Sequence, residues 1–170
     1  MAEALPFEDG YFEASMGTFT VHQWPDLDAG LAELRRVTTG PMVILTCDPD
    51  TLDRFWLNEY CPEVISTEAR RYPPIRRSAD GLGARSEGHP APIPLHCTDR
   101  FNQTYYGRPK GLLDLGARLA CSAWSFVGAG AVTRFERTPC NLGGYRYWFD
   151  CPGKHSEGRV SKLVEGLQGQ

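Results

Sequence analysis

The sequence lacks a long apolar run, and its charge is close to balanced. No stretch approaches the roughly 20 apolar residues that a membrane-spanning helix needs. The first residues, MAEALPFEDG, have neither the basic nor the apolar segment of a secretion signal. We therefore expect a cytoplasmic protein without a membrane partner. The 18 basic and 21 acidic residues give a net charge of −3, and the basic residues are scattered. The charge therefore argues against a nucleic acid partner.

Closely spaced cysteine and histidine residues are also absent. The six cysteines are far apart in the sequence, and a chain of 170 residues can build a core without disulfides. Zinc sites need ligands clustered on short loops, such as two cysteines separated by two residues. The nearest mixed pair, His96 and Cys97, is adjacent in sequence and would point to opposite faces of a strand. We therefore expect no disulfide framework and no metal site.

The N-terminal third has the pattern of a strand, a helix and a second strand. Residues 11–19 form an aromatic and small-residue run after a turn-like Glu-Asp-Gly. The helix follows from the spacing of Leu27, Leu31, Leu34 and Val37 along one face. Residues 42–47 then form a continuous apolar, β-branched run, which is typical of a parallel strand covered on both faces. This order predicts an α/β fold.

The rest of the chain is less regular and shows no repeat. Pro, Arg and Gly dominate residues 62–94, which we interpret as a loop or lid with at most one short helix. The other predicted elements are a short helix within 48–60, a strand at 92–96, a helix at 112–126, a strand at 145–149, and a polar tail over 151–170 that ends in a frayed helix.

Several linked segments resemble the class I S-adenosylmethionine-dependent methyltransferases that act on small molecules. The first segment is AEALPFEDGYFE, the second is TVHQWPD, and the third is the helix end LAELRRV. They occur in the family's order, and the match covers residues 2–60 and, more loosely, residues 92–126. The resemblance implies a Rossmann-like methyltransferase sheet with flanking helices and a lid-like insertion over residues 1–150. It also implies methyl transfer from S-adenosylmethionine to a small-molecule acceptor.

The resemblance also implies roles for individual residues. Ala2 and Glu3 would lie beside the adenine of the cofactor, and Thr20 and Val21 would lie in the crevice where the following strand ends. Gln23 would contact the acceptor there. His22 is either a general base, since an imidazole titrates near neutral pH, or a packing residue of the crevice. Tyr105 and Tyr106 either line the acceptor pocket or belong to the core.

One part of the family pattern is missing. Members begin with a strand, a glycine-rich turn beside the cofactor and an acidic residue after the second strand, and none of these is present. Gly81-Leu82-Gly83 is no substitute, because no strand precedes it. The resemblance therefore implies an incomplete sheet that begins about halfway through the usual fold, and weak or absent cofactor binding by this chain alone.

An incomplete sheet would leave the strand at residues 11–19 without its usual neighbour. Such an edge invites pairing with another chain. We expect a homodimer, association with a complementary methyltransferase chain, or a product of low stability. The alternative to a truncated methyltransferase is a non-catalytic remnant or interaction module that pairs through this edge.

Overall fold

The computed structural model describes residues 1–83, 86–137 and 159–165. The chain divides into two units. The first consists of Met1–Pro49, Arg71–Ala91 and Val160–Gln170, and the second consists of Asp50–Arg70 and Pro92–Arg159. The first unit contains the sheet, apart from Pro92 and Arg159, which each end one of its strands, and the second is mostly short helices.

The first unit is built on a strand, helix and strand: β1 (Ser15–Thr18), α1 (Leu27–Val37) and β2 (Met42–Thr46). The Asp26 side chain caps α1 by accepting a hydrogen bond from the Ala29 amide at 3.0 Å. One face of the helix buries Leu27 and Leu31. β1 and β2 are parallel, with Ser15 opposite Met42, as expected for strands joined by a crossover helix.

A later strand completes the sheet. Its order is β1-β2-β4-β3, where β3 is Glu87–Pro92 and β4 is Arg159–Glu165. β4 runs antiparallel to β2, with Met42 opposite Glu165. Helix α4 (Ile75–Leu82) packs on α1. The buried residues of this core are Val21, Leu27, Leu31, Met42, Ile44 and Leu82.

Two charged residues of α1 hold the N-terminal segment. Glu33 accepts a hydrogen bond from the Leu5 amide at 2.9 Å and pairs with Arg36. Arg36 in turn donates to the carbonyl oxygens of Leu5 and Phe7 and to the Asp9 carboxylate. These contacts lower the pKa of Glu33 to about 2, the hydrogen bond from Arg36 being the largest cause. The pair therefore fixes residues 5–9 along the helix.

The second unit is organised around a buried polar chain. It contains α2 (Leu57–Tyr60), most of α3 (Pro62–Arg71), α5 (Leu115–Ala120) and α6 (Ala129–Arg137). Trp124 Nε1 donates to Asn102 Oδ1 at 2.9 Å, and Asn102 Nδ2 donates to Glu68 Oε1 at 2.9 Å. Gln103 Nε2 donates to the other Glu68 oxygen at 3.2 Å. Since an indole N–H can only donate, it fixes the amide orientation of Asn102 and makes Glu68 an acceptor.

The structure confirms the first three predicted elements with shorter bounds for the strands. The interpretation of residues 62–94 as a loop or lid with at most one short helix is wrong, because α3, α4 and β3 lie there. Pro62 begins α3 and Pro74 precedes α4, so these prolines start helices instead of marking a loop. The buried Glu68 interrupts the apolar face of α3 and hides its periodicity.

Three further predictions differ from the structure. The strand expected at 92–96 lies earlier, as β3, and β4 lies where a frayed helix was expected. The helix expected at 112–126 is broken into a 3₁₀ turn, α5 and another 3₁₀ turn. Asp114 caps α5, so this helix begins at Leu115 and does not continue from Leu112. Leu115 and Leu119 are exposed instead of buried. The predicted strand at 145–149 lies outside the described residues.

The sequence led us to expect no membrane-spanning helix, no disulfide framework and no metal site. Within 1–83, 86–137 and 159–165, no helix is both long and apolar enough to span a membrane. Cys47, Cys61, Cys97 and Cys121 form no disulfide. The same ranges hold no group of three or more His, Cys, Asp or Glu side chains placed to bind a metal.

Replacing Arg36 with alanine should release the N-terminal segment. The variant loses the hydrogen bonds to Glu33, Asp9 and the two backbone carbonyls, so the amides of residues 2–9 should exchange faster with deuterium. Arg77→Ala is the control, since it removes an exposed ion pair with Asp28 elsewhere on α1. Equal exchange in the two variants would show that the Arg36 contacts do not hold the segment.

Replacing Asn102 with alanine should strongly destabilise the second unit. The change leaves the Trp124 N–H and one Glu68 oxygen buried without this partner, at a cost of about 2–4 kcal/mol of unfolding free energy. Asn58→Ala removes an exposed hydrogen bond to the Asp53 carbonyl and should cost less than about 1 kcal/mol. Urea unfolding measures both changes, and equal losses would contradict the role of the buried chain.

Candidate functional site

The candidate site begins where β1 ends. Phe19 follows the strand with φ of 49°, and its amide donates to the Leu45 carbonyl of β2 at 2.8 Å. A bulky residue rarely adopts a positive φ, and such strain is concentrated at functional sites. The chain then turns through a 3₁₀ helix at Val21–Gln23 into α1. In α/β sheets, ligands bind at this carboxyl end of the strands.

Thr20 and Val21 build the turn. Thr20 Oγ1 accepts a hydrogen bond from Trp24 Nε1 at 3.0 Å, and Val21 is buried in the core. The Trp24 ring lies against Gly30, where an added Cβ would come within 2.5 Å of Trp24 Cε3. α1 therefore needs glycine at this position. The cofactor contacts expected of Thr20 and Val21 stay a prediction.

His22 presents an unused ring nitrogen. Its Nδ1 is buried and has no hydrogen-bond partner among the described residues. The ring packs on Tyr72 with a centroid distance of 4.3 Å, and the Gln23 amide lies 3.5 Å from Nε2. Burial and the positive charge of Arg71 lower the pKa of His22 to about 4. The imidazole is therefore uncharged at neutral pH and has the capacity to accept a proton.

Glu3 approaches the same turn from the N-terminal segment. Its Oε1 accepts a hydrogen bond from the Asp26 amide at 3.2 Å, at the start of α1. Its Oε2 is buried and has no partner in the part of the chain that the structure describes. Ala2 precedes it and is half-buried. The segment 20–26 thus carries the His22 imidazole and is contacted by the Glu3 carboxylate. Each of these two groups has one atom without a hydrogen-bond partner among the described residues.

Sequence reasoning missed Arg71 and Tyr72. Arg71 ends α3 and Tyr72 follows it, which returns the chain to the first unit, where the Tyr72 ring packs on His22. The sequence offers an Arg-Arg-Tyr-Pro run there, but nothing in it indicates that the ring would pack on a histidine 50 positions earlier. This contact depends on the fold.

The two tyrosines predicted for the acceptor pocket belong to the second unit. Tyr105 is 5% exposed and lies so close to Gly111 that an added Cβ would come within 2.7 Å of its ring. Burial is the main cause that raises its pKa. The Tyr106 hydroxyl donates to the Ile93 carbonyl at 3.0 Å. Tyr105 is thus a core residue, Tyr106 tethers a loop, and their acceptor contacts stay a prediction, as does that of the exposed Gln23.

Comparisons with known proteins bear on the fold. No protein-family model and no curated protein matches the sequence. Among solved structures, the chain is similar to a candidate methyltransferase from an antibiotic biosynthesis pathway of Anabaena variabilis ATCC 29413. The two share 21% identity with a TM-score of 0.82, over 98% of this chain and 71% of that one.

Two other solved structures are less similar. The [4+2]-cyclase SpnF shares 14% identity with a TM-score of 0.46, over 99% of this chain and 56% of that one. The MccD protein shares 12% identity with a TM-score of 0.42, over 96% of this chain and 63% of that one. The conclusion on the fold rests on the first likeness. The chain has a mixed α/β, methyltransferase-like fold with a small sheet and flanking helices.

Proposed function

We propose that the protein is an S-adenosylmethionine-dependent methyltransferase that acts on a small molecule. The observation that carries the proposal is the pair of unused polar atoms, Glu3 Oε2 and His22 Nδ1, at the end of β1. Buried polar groups are normally hydrogen-bonded, so an unpartnered atom on His22 and another on Glu3, which contacts the start of α1, are candidate ligand contacts. The methyltransferase-like fold supports the identity of that ligand.

The residues at the turn suit the cofactor. The free Glu3 oxygen is an acceptor suited to the adenine amino group, and the Ala2 amide is a donor suited to a ring nitrogen. Thr20 and Val21 would form the wall of the crevice between strand and cofactor. S-adenosylmethionine, when bound, supplies a methyl group on a positively charged sulfur. The protein's share is then to hold the acceptor in line with that group and to exclude water.

His22 would take the proton that the acceptor loses. A neutral imidazole accepts a proton through the nitrogen that carries the lone pair. The Gln23 amide nitrogen lies 3.5 Å from His22 Nε2 and can only donate, so this arrangement puts the lone pair on Nε2 and the proton on Nδ1, the nitrogen without a partner. Nδ1 is the base in the other tautomer, in which the Gln23 amide is turned with its oxygen toward Nε2. Burial and, to a smaller extent, the charge of Arg71 keep the ring unprotonated, and Tyr72 limits its rotation by packing on it.

The other interpretation, a non-catalytic module that acts only through its sheet edge, is not favoured. The methyltransferase-like fold, together with the unpartnered Glu3 and His22 atoms near the start of α1, favours a ligand-binding protein instead. A ligand that pairs with them explains why they are retained.

Calorimetric titration of the whole chain with S-adenosylmethionine and with S-adenosylhomocysteine tests the proposal. We expect weak but saturable binding of both, and Glu3→Gln should weaken it about tenfold or more through loss of a charged hydrogen bond. Glu13→Gln is the matched control, since Glu13 is exposed. Absence of heat from a chain that circular dichroism shows to be folded would refute the proposed function, and equal weakening by both variants would refute the role of Glu3.

The titration of His22 provides an independent test. NMR should show a pKa of about 4 in the native protein, and Arg71→Gln should raise it only part of the way to the ordinary 6.5, because burial is the larger cause. Since the native pKa lies below the unfolded one, His22 favours the native state above pH 6.5, and that contribution is lost as the pH falls toward 4. His22→Gln should therefore flatten the dependence of stability on pH in this window.

The control for the titration is Arg76→Gln, which removes an exposed arginine of α4 and should leave the His22 curve unchanged. An imidazole that titrates near 6.5 in the native protein would exclude the buried neutral base.

A further inference from the structure

Two further side chains of the first unit carry a buried hydroxyl without a hydrogen-bond partner. They are Thr46, the last residue of β2, and Ser78 in α4. Both residues are fully buried. Together with Glu3 and His22 they are the side chains of this kind in the described part of the first unit. Since buried hydroxyls normally have a partner, these two need an explanation.

Thr46 lies at the carboxyl end of the sheet, beside the turn that carries His22. The Phe19 amide donates to the Leu45 carbonyl, so the next residue of β2 is level with the point where the chain leaves β1. Side chains two residues apart on a strand share a face. Thr46 therefore points into the same buried layer as Ile44.

The position of α4 brings Ser78 toward the same end of this layer. α4 runs alongside α1 in the same direction, because Arg77 contacts Asp28 in the first turn of α1 and Gly81 lies against Leu31 further along. α1 in turn leads away from the carboxyl end of β1 to the start of β2. The N-terminal half of α4, with Ser78, is therefore the half nearer the carboxyl end of the sheet.

Thr46 and Ser78 hold equivalent positions relative to the apolar core. Ile44 and Leu82 both belong to this core. Thr46 is two strand residues beyond Ile44, about 6.6 Å toward the carboxyl end of the sheet. Ser78 is four helical residues from Leu82, about 6 Å in the same direction. Both hydroxyls therefore lie on the side of the core that faces the carboxyl end, where ligands bind in α/β folds.

We propose that Thr46 and Ser78 bind a hydroxyl group of the methyl acceptor. That the ligand is a methyl acceptor rests on the proposed function. A hydroxyl group donates one hydrogen bond and accepts others, so it can pair with both side chains at once. The apolar residues below them suit an uncharged group, because a charged one would lose its hydration there.

The start of α4 provides the way in. In the structure both hydroxyls are enclosed, so a ligand needs the covering residues to move. Pro74 gives α4 no side-chain cap, and the hydrogen bond from the Ser78 amide to the Pro74 carbonyl is long, at 3.3 Å. This turn is therefore weakly held, and its outward movement gives the ligand access to Ser78 and Thr46.

Removing either hydroxyl should stabilise the protein. Thr46→Val and Ser78→Ala each remove a buried group without a partner, so each should raise the melting temperature by about 2 °C or more. The matched controls, Thr18→Val and Ser66→Ala, change an exposed threonine of β1 and an exposed serine of α3 and should have a smaller effect. A lower melting temperature in either buried variant would show that its hydroxyl is bonded within the folded protein, and would overturn the proposal.

Phenol and toluene test the ligand, since they have nearly the same shape and only phenol has a hydroxyl group. NMR titration of the whole chain at millimolar concentrations should show saturable shifts of the Thr46 and Ser78 amides with phenol, and at least about tenfold weaker binding of toluene. The double variant Thr46→Val, Ser78→Ala should lose this preference, and the double variant Thr18→Val, Ser66→Ala should keep it. Equal binding of both probes, or a preference that the buried double variant retains, would overturn the proposal.

Titration with S-adenosylmethionine separates this inference from the proposed function. The buried double variant should bind the cofactor as the wild type does, because the hydroxyls contact the acceptor. Cofactor binding by a wild type without preference for phenol would overturn this inference alone. A preference for phenol in a chain that binds no cofactor would refute the proposed function, and with it the methyl acceptor as the ligand.

Discussion

The Glu33–Arg36 pair of α1 is the constraint on which the candidate site depends. It fixes the backbone of residues 5–9 on the helix through hydrogen bonds to Leu5 and Phe7. The segment thus anchored carries Glu3 to the start of the same helix, where it contacts the Asp26 amide. α1 therefore does two things at once: one face buries leucines in the core, and its charged residues position the part of the chain that reaches the end of β1.

The β1–α1–β2 unit could be predicted because its signals are local. Leucine spacing, an N-capping aspartate and a β-branched run each depend on a few neighbouring residues. The later elements could not, since their signals conflict with their surroundings. In α3 a buried glutamate occupies a core position and is satisfied by amides from distant residues. In α5 the leucines face solvent and Arg118 is buried, where it donates to the Leu112 carbonyl.

The same distinction applies to the site. Glu3 and His22 could be named from a family pattern in the sequence, and the structure brings both to the turn after β1. What the pattern could not supply is their environment. The low pKa of His22 arises from burial and from Arg71, and its ring orientation from Tyr72, all set by the return of the chain after α3. Chemistry that depends on such long-range contacts requires the folded structure.

The position of β4 has a consequence for the way the protein folds. β2 pairs on one side with β1, close in sequence, and on the other with β4, with Met42 opposite Glu165. The chain between β2 and β4 is long. Bringing these two strands together slows folding, because the entropy of closing that chain is lost before the strand contacts form. During synthesis the parallel pair of β1 and β2, joined by α1, forms first, and one flank of β2 stays open until β4 has left the ribosome. The second unit, encoded in between, has the opportunity to fold before the sheet is complete.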